Sequence, residues 1–299
     1  MENKYKQSSL WKHIDGSVFE DIQNIDLSSF RKPGSLNNRL ASWDPYDKST
    51  YRYYKNILFN LVTAMPKEYF QLYKNIGNAS LGAPVSVKVN GQEMNLDYVF
   101  SIQEMLFCFE PLSSVETICE IGAGFGRLCH SVLKNFKKIK KYTIVDLPSC
   151  LLLSRKYLRE VLSEDEYNKI EFISNLEADT LRDAEFFINV DSFAEMETDV
   201  VKNYISLVDK MGSYFYSRNT VCKYHPSMIG LEEFDKNQYE SAISLGLCKK
   251  FVDIFDSQEL DLARKDYLNL YQPSVSWRLL KTEVSYPWQY YQHALYTKD

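Results

Sequence analysis

Residues 115–128 read V-E-T-I-C-E-I-G-A-G-F-G-R-L, and this stretch decides the fold. An apolar run ends in Glu120, the glycine-rich segment G-A-G-F-G follows at residues 122–126, and apolar residues then recur at helical spacing. This order predicts a strand, a tight turn and a helix, the opening unit of a parallel α/β sheet. The glycines permit backbone angles that are closed to other residues, and they let a ligand approach the main chain closely.

The rhythm of strand and helix continues after this stretch. Six further apolar runs predict strands at residues 142–146, 170–174, 185–190, 213–217, 251–255 and 277–282. The pattern predicts a doubly wound, Rossmann-like α/β fold, with seven mostly parallel strands and helices on both faces of the sheet. Ligands of such sheets bind at the carboxyl ends of the strands.

Two regions are predicted along the chain. Residues 1–110 are expected to form a mainly helical N-terminal region that caps the acceptor side or makes oligomer contacts. Residues 111–299 would form the Rossmann-like domain. Within it, residues 219–247 are polar and too long for an ordinary connection, which predicts a lid-like insertion.

Composition excludes several classes of protein. The 299 residues are 45% hydrophobic and 25% charged, which is an ordinary globular balance. The net charge of −5 argues against a general nucleic-acid binder. The six cysteines form no C-x-x-C pair, so zinc-finger and redox-motif interpretations fail. No apolar run approaches the roughly 20 residues of a membrane span, and the N-terminus lacks the apolar stretch of a signal peptide, so a cytoplasmic location is expected.

The glycine turn departs from a dinucleotide site, which requires G-x-G-x-x-G. Gly122 and Gly124 fit that pattern, but Arg127 occupies the position of the third glycine. Glu120 would repel a pyrophosphate and would suit an ammonium or sulfonium group. Asp146 ends the next strand, where a carboxylate can accept hydrogen bonds from both ribose hydroxyls. Together these residues indicate a nucleoside that also carries an amino acid.

At this point the sequence resembles a known family. E-I-G-A-G-F-G followed by I-V-D looks like the signature of class I S-adenosylmethionine-dependent methyltransferases. I-V-D-L-P-S-C-L-L-L at 144–153 and I-N-V-D-S-F-A-E-M at 188–196 are similar to the sugar O-methyltransferases of bacterial polysaccharide and antibiotic gene clusters. The likeness covers roughly residues 75–220, and Ala123 and Phe125 are mild departures from it.

The resemblance implies a set of cofactor contacts for S-adenosylmethionine and for its product S-adenosylhomocysteine. Glu120 would anchor the methionine end, and Asp191 would lie near the same moiety. Asp146 would hold the ribose, Leu147 would lie against the adenine, and Asn175 would face the adenine amino group. The complete implied set is Glu120, Gly122, Ala123, Gly124, Asp146, Leu147, Asn175 and Asp191.

Methyl transfer to a sugar hydroxyl benefits from a general base, because the hydroxyl is a weak nucleophile at neutral pH. Glu195, one helical turn beyond the fourth predicted strand, and His225, in the long loop, are the candidate catalytic residues. Histidine titrates near neutral pH, whereas a glutamate base would need partial burial. Candidate acceptor contacts are Tyr98, Gln103, Arg218 and Tyr224.

A divalent metal is not expected. Sites that acidify a hydroxyl with a metal need clustered carboxylates on adjacent strand ends, but Asp191 and Glu195 are four residues apart and no Asp-Asp pair is present. The sequence therefore predicts a metal-independent reaction.

The leading hypothesis is an S-adenosylmethionine-dependent O-methyltransferase that acts on a sugar hydroxyl, with an acceptor that is nucleotide- or lipid-linked. A homo-oligomer is left open, and no nucleic-acid partner is expected. One alternative is an NAD(P)-dependent sugar oxidoreductase or epimerase, which Glu120 and Arg127 disfavour. Another is a catalytically inactive methyltransferase-like binding scaffold, because an intact cofactor site says nothing about chemistry.

Overall fold

The computed structural model describes residues 50–231 and 235–298. The chain divides into two compact units, Met1–Asn56 and Ile57–Asp299. Everything described below lies in the second unit, apart from the start of the first helix. The predicted boundary between the two regions at residue 110 stays a prediction. The first 49 residues of the predicted N-terminal region lie outside the described part of the chain. No helix in the described ranges has the length and apolar character needed to cross a membrane.

Helices and strands alternate along most of the described chain. The α-helices are α1 (Thr50–Ala64), α2 (Lys67–Ile76), α3 (Leu96–Phe107), α4 (Phe109–Ser114), α5 (Arg127–Asn135), α6 (Pro148–Val161), α7 (Glu164–Tyr167), α8 (Thr198–Met211), α9 (Lys236–Ser244) and α10 (Ser257–Tyr271). The strands are β1 (Ser86–Val89), β2 (Gln92–Asn95), β3 (Thr117–Ile121), β4 (Lys141–Asp146), β5 (Ile170–Ser174), β6 (Phe186–Val190), β7 (Tyr214–Thr220), β8 (Trp277–Val284) and β9 (Tyr291–Lys298). Short 3₁₀ turns span Asn175–Thr180, Ser192–Glu195 and Pro226–Ile229.

Seven strands form one sheet in the order β5-β4-β3-β6-β7-β9-β8, and β1 and β2 form a separate antiparallel hairpin. Neighbouring strands from β5 to β7 are parallel, whereas β9 runs antiparallel to both β7 and β8. The predicted seven-stranded, mostly parallel α/β fold is confirmed. β3 occupies the middle of the parallel part, so the glycine turn that follows it lies at the centre of one edge of the sheet.

Two details of the strand prediction were wrong. Residues 251–255 form no strand and make one isolated bridge, between Phe251 and Lys223. The sheet instead gains β9, a segment for which no strand was predicted and whose mix of polar and aromatic residues hid its buried position. In β9 the consecutive residues from Gln292 to Tyr296 are all buried.

Successive side chains of a strand point to opposite sides of the sheet, so both faces carry side chains that pack against other elements. Helices cover both faces. On one face, the Phe107 ring of α3 lies 5.6 Å from Tyr216 of β7 and 5.0 Å from His293 of β9, measured between ring centroids. On the other face, Phe215 stacks on Tyr296 at 6.0 Å, and the Tyr296 hydroxyl donates a 2.8 Å hydrogen bond to the carbonyl oxygen of Leu268 in α10.

Candidate active site

The carboxyl ends of β3, β6 and β7 open onto a cavity of about 380 Å³. One part of its lining, called here the glycine side, consists of Glu120, Gly122, Ala123, Gly124, Phe125 and Arg127. A second part, the β7–β9 side, consists of Val190, Asp191, Arg218, Trp288, Tyr290 and Tyr291. Asp97 and Phe100 of α3 complete the lining. The cavity therefore lies at the sheet edge where the sequence predicts ligand binding.

The glycine turn has a backbone that residues with a side chain rarely adopt. Gly122 has a φ of +75°, and a Cβ added to it would lie 2.1 Å from the Oγ of Ser192. That hydroxyl is fixed, because it donates a 3.0 Å hydrogen bond to the Ile121 carbonyl oxygen. Gly124 also has a positive φ, of +58°, but no atom lies within 4 Å of its added Cβ. The main chain at Gly124 is thus open to a ligand.

Glu120 places a buried carboxyl group beside this turn. Only 3% of the residue is exposed, and the Tyr142 hydroxyl donates a 2.7 Å hydrogen bond to it. Burial raises the pKa of Glu120 to about 7, although the Tyr142 hydrogen bond and the Arg127 charge oppose the rise. A cation seated against this carboxylate would favour its ionised form.

Asp146 fixes the other end of the turn. Its Oδ2 accepts a 2.9 Å hydrogen bond from the Gly124 amide, and its Oδ1 accepts a 2.7 Å bond from the Leu147 amide. Leu147 itself is 53% exposed. Asn175 opens the 3₁₀ turn after β5 and lines a different cavity, against α8. Asp146 is thus bonded to the glycine turn, but Asp146, Leu147 and Asn175 are not among the residues that line the cavity.

A buried ion pair ties α5 to α3. Both carboxylate oxygens of Glu104 accept 2.8 Å hydrogen bonds from the Arg127 guanidinium, and Glu104 is 1% exposed. The same guanidinium donates to the Ser101 hydroxyl at 2.9 Å and to the Asp97 carbonyl oxygen at 3.2 Å. A bidentate arginine–carboxylate pair of this kind fixes the orientation of both side chains as well as bringing their charges together. They hold Arg127 at the edge of the cavity.

Arg218 lies near the end of β7 and is 4% exposed. Its Nε donates a 2.7 Å hydrogen bond to the Ser285 hydroxyl, and its Nη1 lies 3.8 Å from a Glu104 oxygen. The guanidinium carbon lies 4.6 Å from the ring centroid of Phe100 and 5.0 Å from that of Tyr291. Contacts of a cation with aromatic faces are attractive, so the rings help to hold this group in place.

Asp191 has a strained backbone at the end of β6. Its φ is +68° and its ψ is −32°, a region that non-glycine residues rarely occupy. Two hydrogen bonds hold it there: its amide donates to the Arg218 carbonyl oxygen at 2.8 Å, and its carbonyl oxygen accepts from the Ala194 amide at 3.1 Å. Such strain costs roughly 1–3 kcal/mol and is concentrated at functional sites. The pKa of Tyr291 is raised, mainly by burial of its hydroxyl group and also by the negative charge of the nearby Asp191 carboxylate.

The two predicted bases lie outside the cavity lining. Glu195 ends the 3₁₀ turn after β6 and is exposed. Partial burial of its carboxyl group and the Asp191 charge raise its pKa, and Lys223 opposes the rise. His225 is exposed as well, and its Nδ1 lies 2.8 Å from the Ser227 hydroxyl. A catalytic role for either residue stays a prediction.

Of the four predicted acceptor contacts, Arg218 alone lines the cavity. Tyr98 is buried, and its hydroxyl lies 2.7 Å from His130 Nδ1 and 2.6 Å from the Tyr157 hydroxyl. Gln103 lines a separate cavity. Tyr224 packs edge-on against Tyr290 with ring centroids 5.2 Å apart, so it supports the lining from behind.

Sequence reasoning did not place Asp97, Phe100 or Phe125 at the site. It left two interpretations for Trp288, Tyr290 and Tyr291, stacking on a sugar face or packing on the body of the protein, and the structure has them in the cavity lining. The segment W-Q-Y-Y at 288–291 carried a signal, because clustered aromatic residues near a chain end can stack on a ligand. Among the described residues, no group of three or more His, Cys, Asp or Glu side chains is arranged to hold a metal ion. Independence from metal stays a prediction.

No family model matches the chain, and no curated protein matches it. Solved structures resemble it distantly. The methyltransferase domain of bacterial CtHen1-C is 11% identical, with 65% of this chain and 95% of that chain covered and a TM-score of 0.44. The mitomycin 7-O-methyltransferase MmcR is 12% identical, with 77% and 60% covered and a TM-score of 0.43. An O-methyltransferase family protein from Burkholderia thailandensis is 13% identical, with 68% and 59% covered and a TM-score of 0.40. These likenesses are too remote to assign a family or a substrate.

Proposed function

We propose that this protein is an S-adenosylmethionine-dependent O-methyltransferase that transfers a methyl group to a sugar hydroxyl. The observation that carries the proposal is the buried carboxyl group of Glu120 beside an open glycine turn, whose Gly124 amide is fixed to Asp146. This arrangement combines a site for a cation, a close approach to the main chain and a hydroxyl acceptor within one sheet edge.

The residues fit this cofactor better than a dinucleotide. Glu120 can pair with the ammonium group of the methionine moiety, and each Asp146 oxygen keeps a lone pair for a ribose hydroxyl. A pyrophosphate would instead meet the carboxylates of Glu120 and Asp191 in the same cavity, where like charges repel strongly. When bound, S-adenosylmethionine supplies an electrophilic methyl group on a sulfonium centre.

The protein must then orient the acceptor hydroxyl and remove its proton. Asp191 is the carboxylate that lines the same side of the cavity as Arg218, and two backbone hydrogen bonds fix its position. Glu195 and His225 would have to reach the hydroxyl from exposed positions outside the lining. We therefore assign the general base to Asp191, which changes its predicted role from cofactor contact to catalysis.

The β7–β9 side supports a sugar as acceptor. Trp288, Tyr290 and Tyr291 present flat apolar surfaces with polar edges, and such rings pack on the C–H faces of sugars. Arg218 and Asp191 supply a donor and an acceptor for sugar hydroxyls on the same side. The nucleotide or lipid carrier of the sugar stays a prediction.

Calorimetry with S-adenosylhomocysteine and with NAD tests the cofactor assignment. We expect micromolar binding of S-adenosylhomocysteine and no binding of NAD. Binding of NAD alone would overturn the proposal. Methyl transfer from labelled cofactor into a panel of nucleotide sugars and glycans then tests the reaction. Tight cofactor binding without transfer to any acceptor would favour a binding scaffold.

A further inference from the structure

We infer that Arg218 forms a subsite for a carboxylate of the acceptor, so that the substrate is an acidic sugar of the uronic-acid class. The inference rests on the proposed function and deepens it. It starts from the hydrogen-bonding capacity of one buried side chain.

Arg218 has more donors than partners. A guanidinium carries five N–H donors. The Nε donor bonds to Ser285, whereas neither Nη nitrogen makes a hydrogen bond within residues 50–231 and 235–298. The 3.8 Å separation from Glu104 is too long for one. Arg218 lines the cavity although it is only 4% exposed, so these Nη donors are available to an acceptor that enters the cavity.

The nearest carboxylate is already engaged. Both Glu104 oxygens accept 2.8 Å hydrogen bonds from Arg127. Glu104 therefore neutralises Arg127 first and leaves the charge of Arg218 only partly compensated. An anion in the cavity would complete the charge balance around Arg218.

The surroundings of the guanidinium favour a planar anion. Phe100 and Tyr291 lie against it, with ring centroids 4.6 and 5.0 Å from its central carbon. Neither Nη group has a hydrogen-bond partner among the described residues, and a pair of Nη donors matches the two oxygens of a carboxylate. A dianionic phosphate would be disfavoured, because the carboxylates of Glu120 and Asp191 line the same cavity.

The position of Arg218 in the sheet indicates that the anion belongs to the acceptor and not to the cofactor. Arg218 belongs to β7, which is separated from β3 by β6. It lines the β7–β9 side with Trp288, whereas the predicted cofactor contacts Glu120 and Gly124 line the glycine side. The amide of Asp191 is bonded to the carbonyl oxygen of Arg218 at 2.8 Å. Because both residues line the same side of the cavity, a carboxylate held at Arg218 would place a hydroxyl of the same sugar near Asp191, the proposed base.

The reaction balances with this arrangement. The acceptor oxygen forms a bond to the methyl carbon as the carbon–sulfur bond breaks and its electron pair returns to sulfur. The hydroxyl proton passes to the Asp191 carboxylate. The acceptor carboxylate is unchanged and serves only to orient the sugar at Arg218.

The test measures binding of small acidic sugars to the protein saturated with S-adenosylhomocysteine. The probes are D-glucuronate and D-galacturonate, each compared with its uncharged amide by saturation-transfer NMR. We expect the wild type to bind at least one acid roughly tenfold or more tightly than its amide. Arg218→Gln should abolish this preference and Arg218→Lys should weaken it. The control Lys202→Gln, which removes an exposed cation from α8, should retain it.

Three results would overturn the inference. The first is a wild type that shows no preference for the acids, including failure to bind either form. The second is a preference that survives Arg218→Gln. The third is a variant that loses affinity for S-adenosylhomocysteine but not for 5′-methylthioadenosine, which lacks the amino-acid part, because Arg218 would then hold the cofactor's carboxylate. Failure of the proposed function is separate and would appear as no binding of S-adenosylhomocysteine by the wild type.

Discussion

The substitution Glu120→Gln tests the cofactor site through both binding and stability. It removes the charge but keeps the shape, and the amide oxygen can still accept the Tyr142 hydrogen bond. A hydrogen bond to a charged group is worth roughly 1.5–3 kcal/mol. We therefore expect calorimetry at pH 8 to show about 10- to 100-fold weaker binding of S-adenosylhomocysteine.

Binding by the wild type should also depend on pH. With a pKa of about 7, only roughly one tenth of Glu120 is ionised at pH 6 in the free protein. Because the cofactor's ammonium requires the ionised form, affinity should be up to about tenfold lower at pH 6 than at pH 8. The Glu120→Gln variant should show little of this dependence.

The free energy of unfolding of the wild type should change with pH in the direction opposite to its cofactor affinity. Burial raises the pKa of Glu120 from 4.5 to about 7, so the folded protein holds this proton more tightly than the unfolded chain does. The wild type therefore loses stability as pH rises from about 4.5 through 7, by at most about 3 kcal/mol from this group. Urea unfolding should show that Glu120→Gln gains relative to the wild type across this window.

A matched control separates the site from general charge effects. Glu171→Gln removes a 45% exposed carboxylate from β5, where the partner is Lys141. This variant should keep wild-type affinity and show no comparable change of stability with pH. Wild-type affinity in Glu120→Gln, or a stability difference between it and the wild type that does not change with pH, would refute the reasoning.

Two further predictions concern the turn and the base. Gly122→Ala should lower the free energy of unfolding by roughly 1–3 kcal/mol in urea titrations and weaken S-adenosylhomocysteine binding, because its Cβ would lie 2.1 Å from the Ser192 hydroxyl oxygen. Gly91→Ala, with a similar φ of +79° but open space at Cβ, should cost less, and equal costs would contradict the clash. Asp191→Asn should reduce the rate of methyl transfer by roughly 10²–10⁴-fold while cofactor affinity in calorimetry changes little. Glu195→Gln and His225→Ala should stay within about threefold of wild-type turnover, and a large loss in either would move the base away from Asp191.

Local sequence was sufficient for the glycine turn. The strand, turn and helix are contiguous, and the angles at Gly122 are ones that favour glycine. The end of the next strand was equally clear, because Asp146 follows an apolar run directly. Both features depend on short-range geometry that the sequence displays in order, and the structure joins them through the Gly124 amide.

The predicted strand at residues 251–255 failed because side chains competed for the backbone. Asp253 accepts a 2.9 Å hydrogen bond from the Phe255 amide, and Glu259 accepts one from the Asp253 amide at 3.0 Å. Such bonds give the main chain an alternative to a strand ladder. The apolar alternation was real, but it packs Val252 and Ile254 into the core without sheet pairing.

On the β7–β9 side, Asp191 and Arg218 were predicted site residues, whereas the arrangement of the aromatic residues around them could not be predicted from the sequence. Trp288 and Tyr291 reach the cavity because β9 inserts between β7 and β8, and this order is not encoded in any local pattern. Arg218 gains its surroundings in the same way, from Phe100 in α3 and Ser285 before β9. The proposed cofactor half of the site is thus readable from one stretch of chain, whereas the proposed acceptor half is assembled from distant segments.

The Glu104–Arg127 pair explains how these two halves of the site keep their relative position. A buried ion pair is weak support for stability, because desolvation of both charges offsets their attraction. Its geometric effect is larger: it fixes the start of α5 against α3, and α3 places Phe100 over Arg218. Since Arg127 occupies both oxygens of Glu104, Arg218 keeps donors for a ligand. One pair therefore positions the glycine side and leaves the second guanidinium available on the β7–β9 side, as the proposed transfer from a cationic cofactor to an acidic acceptor would need.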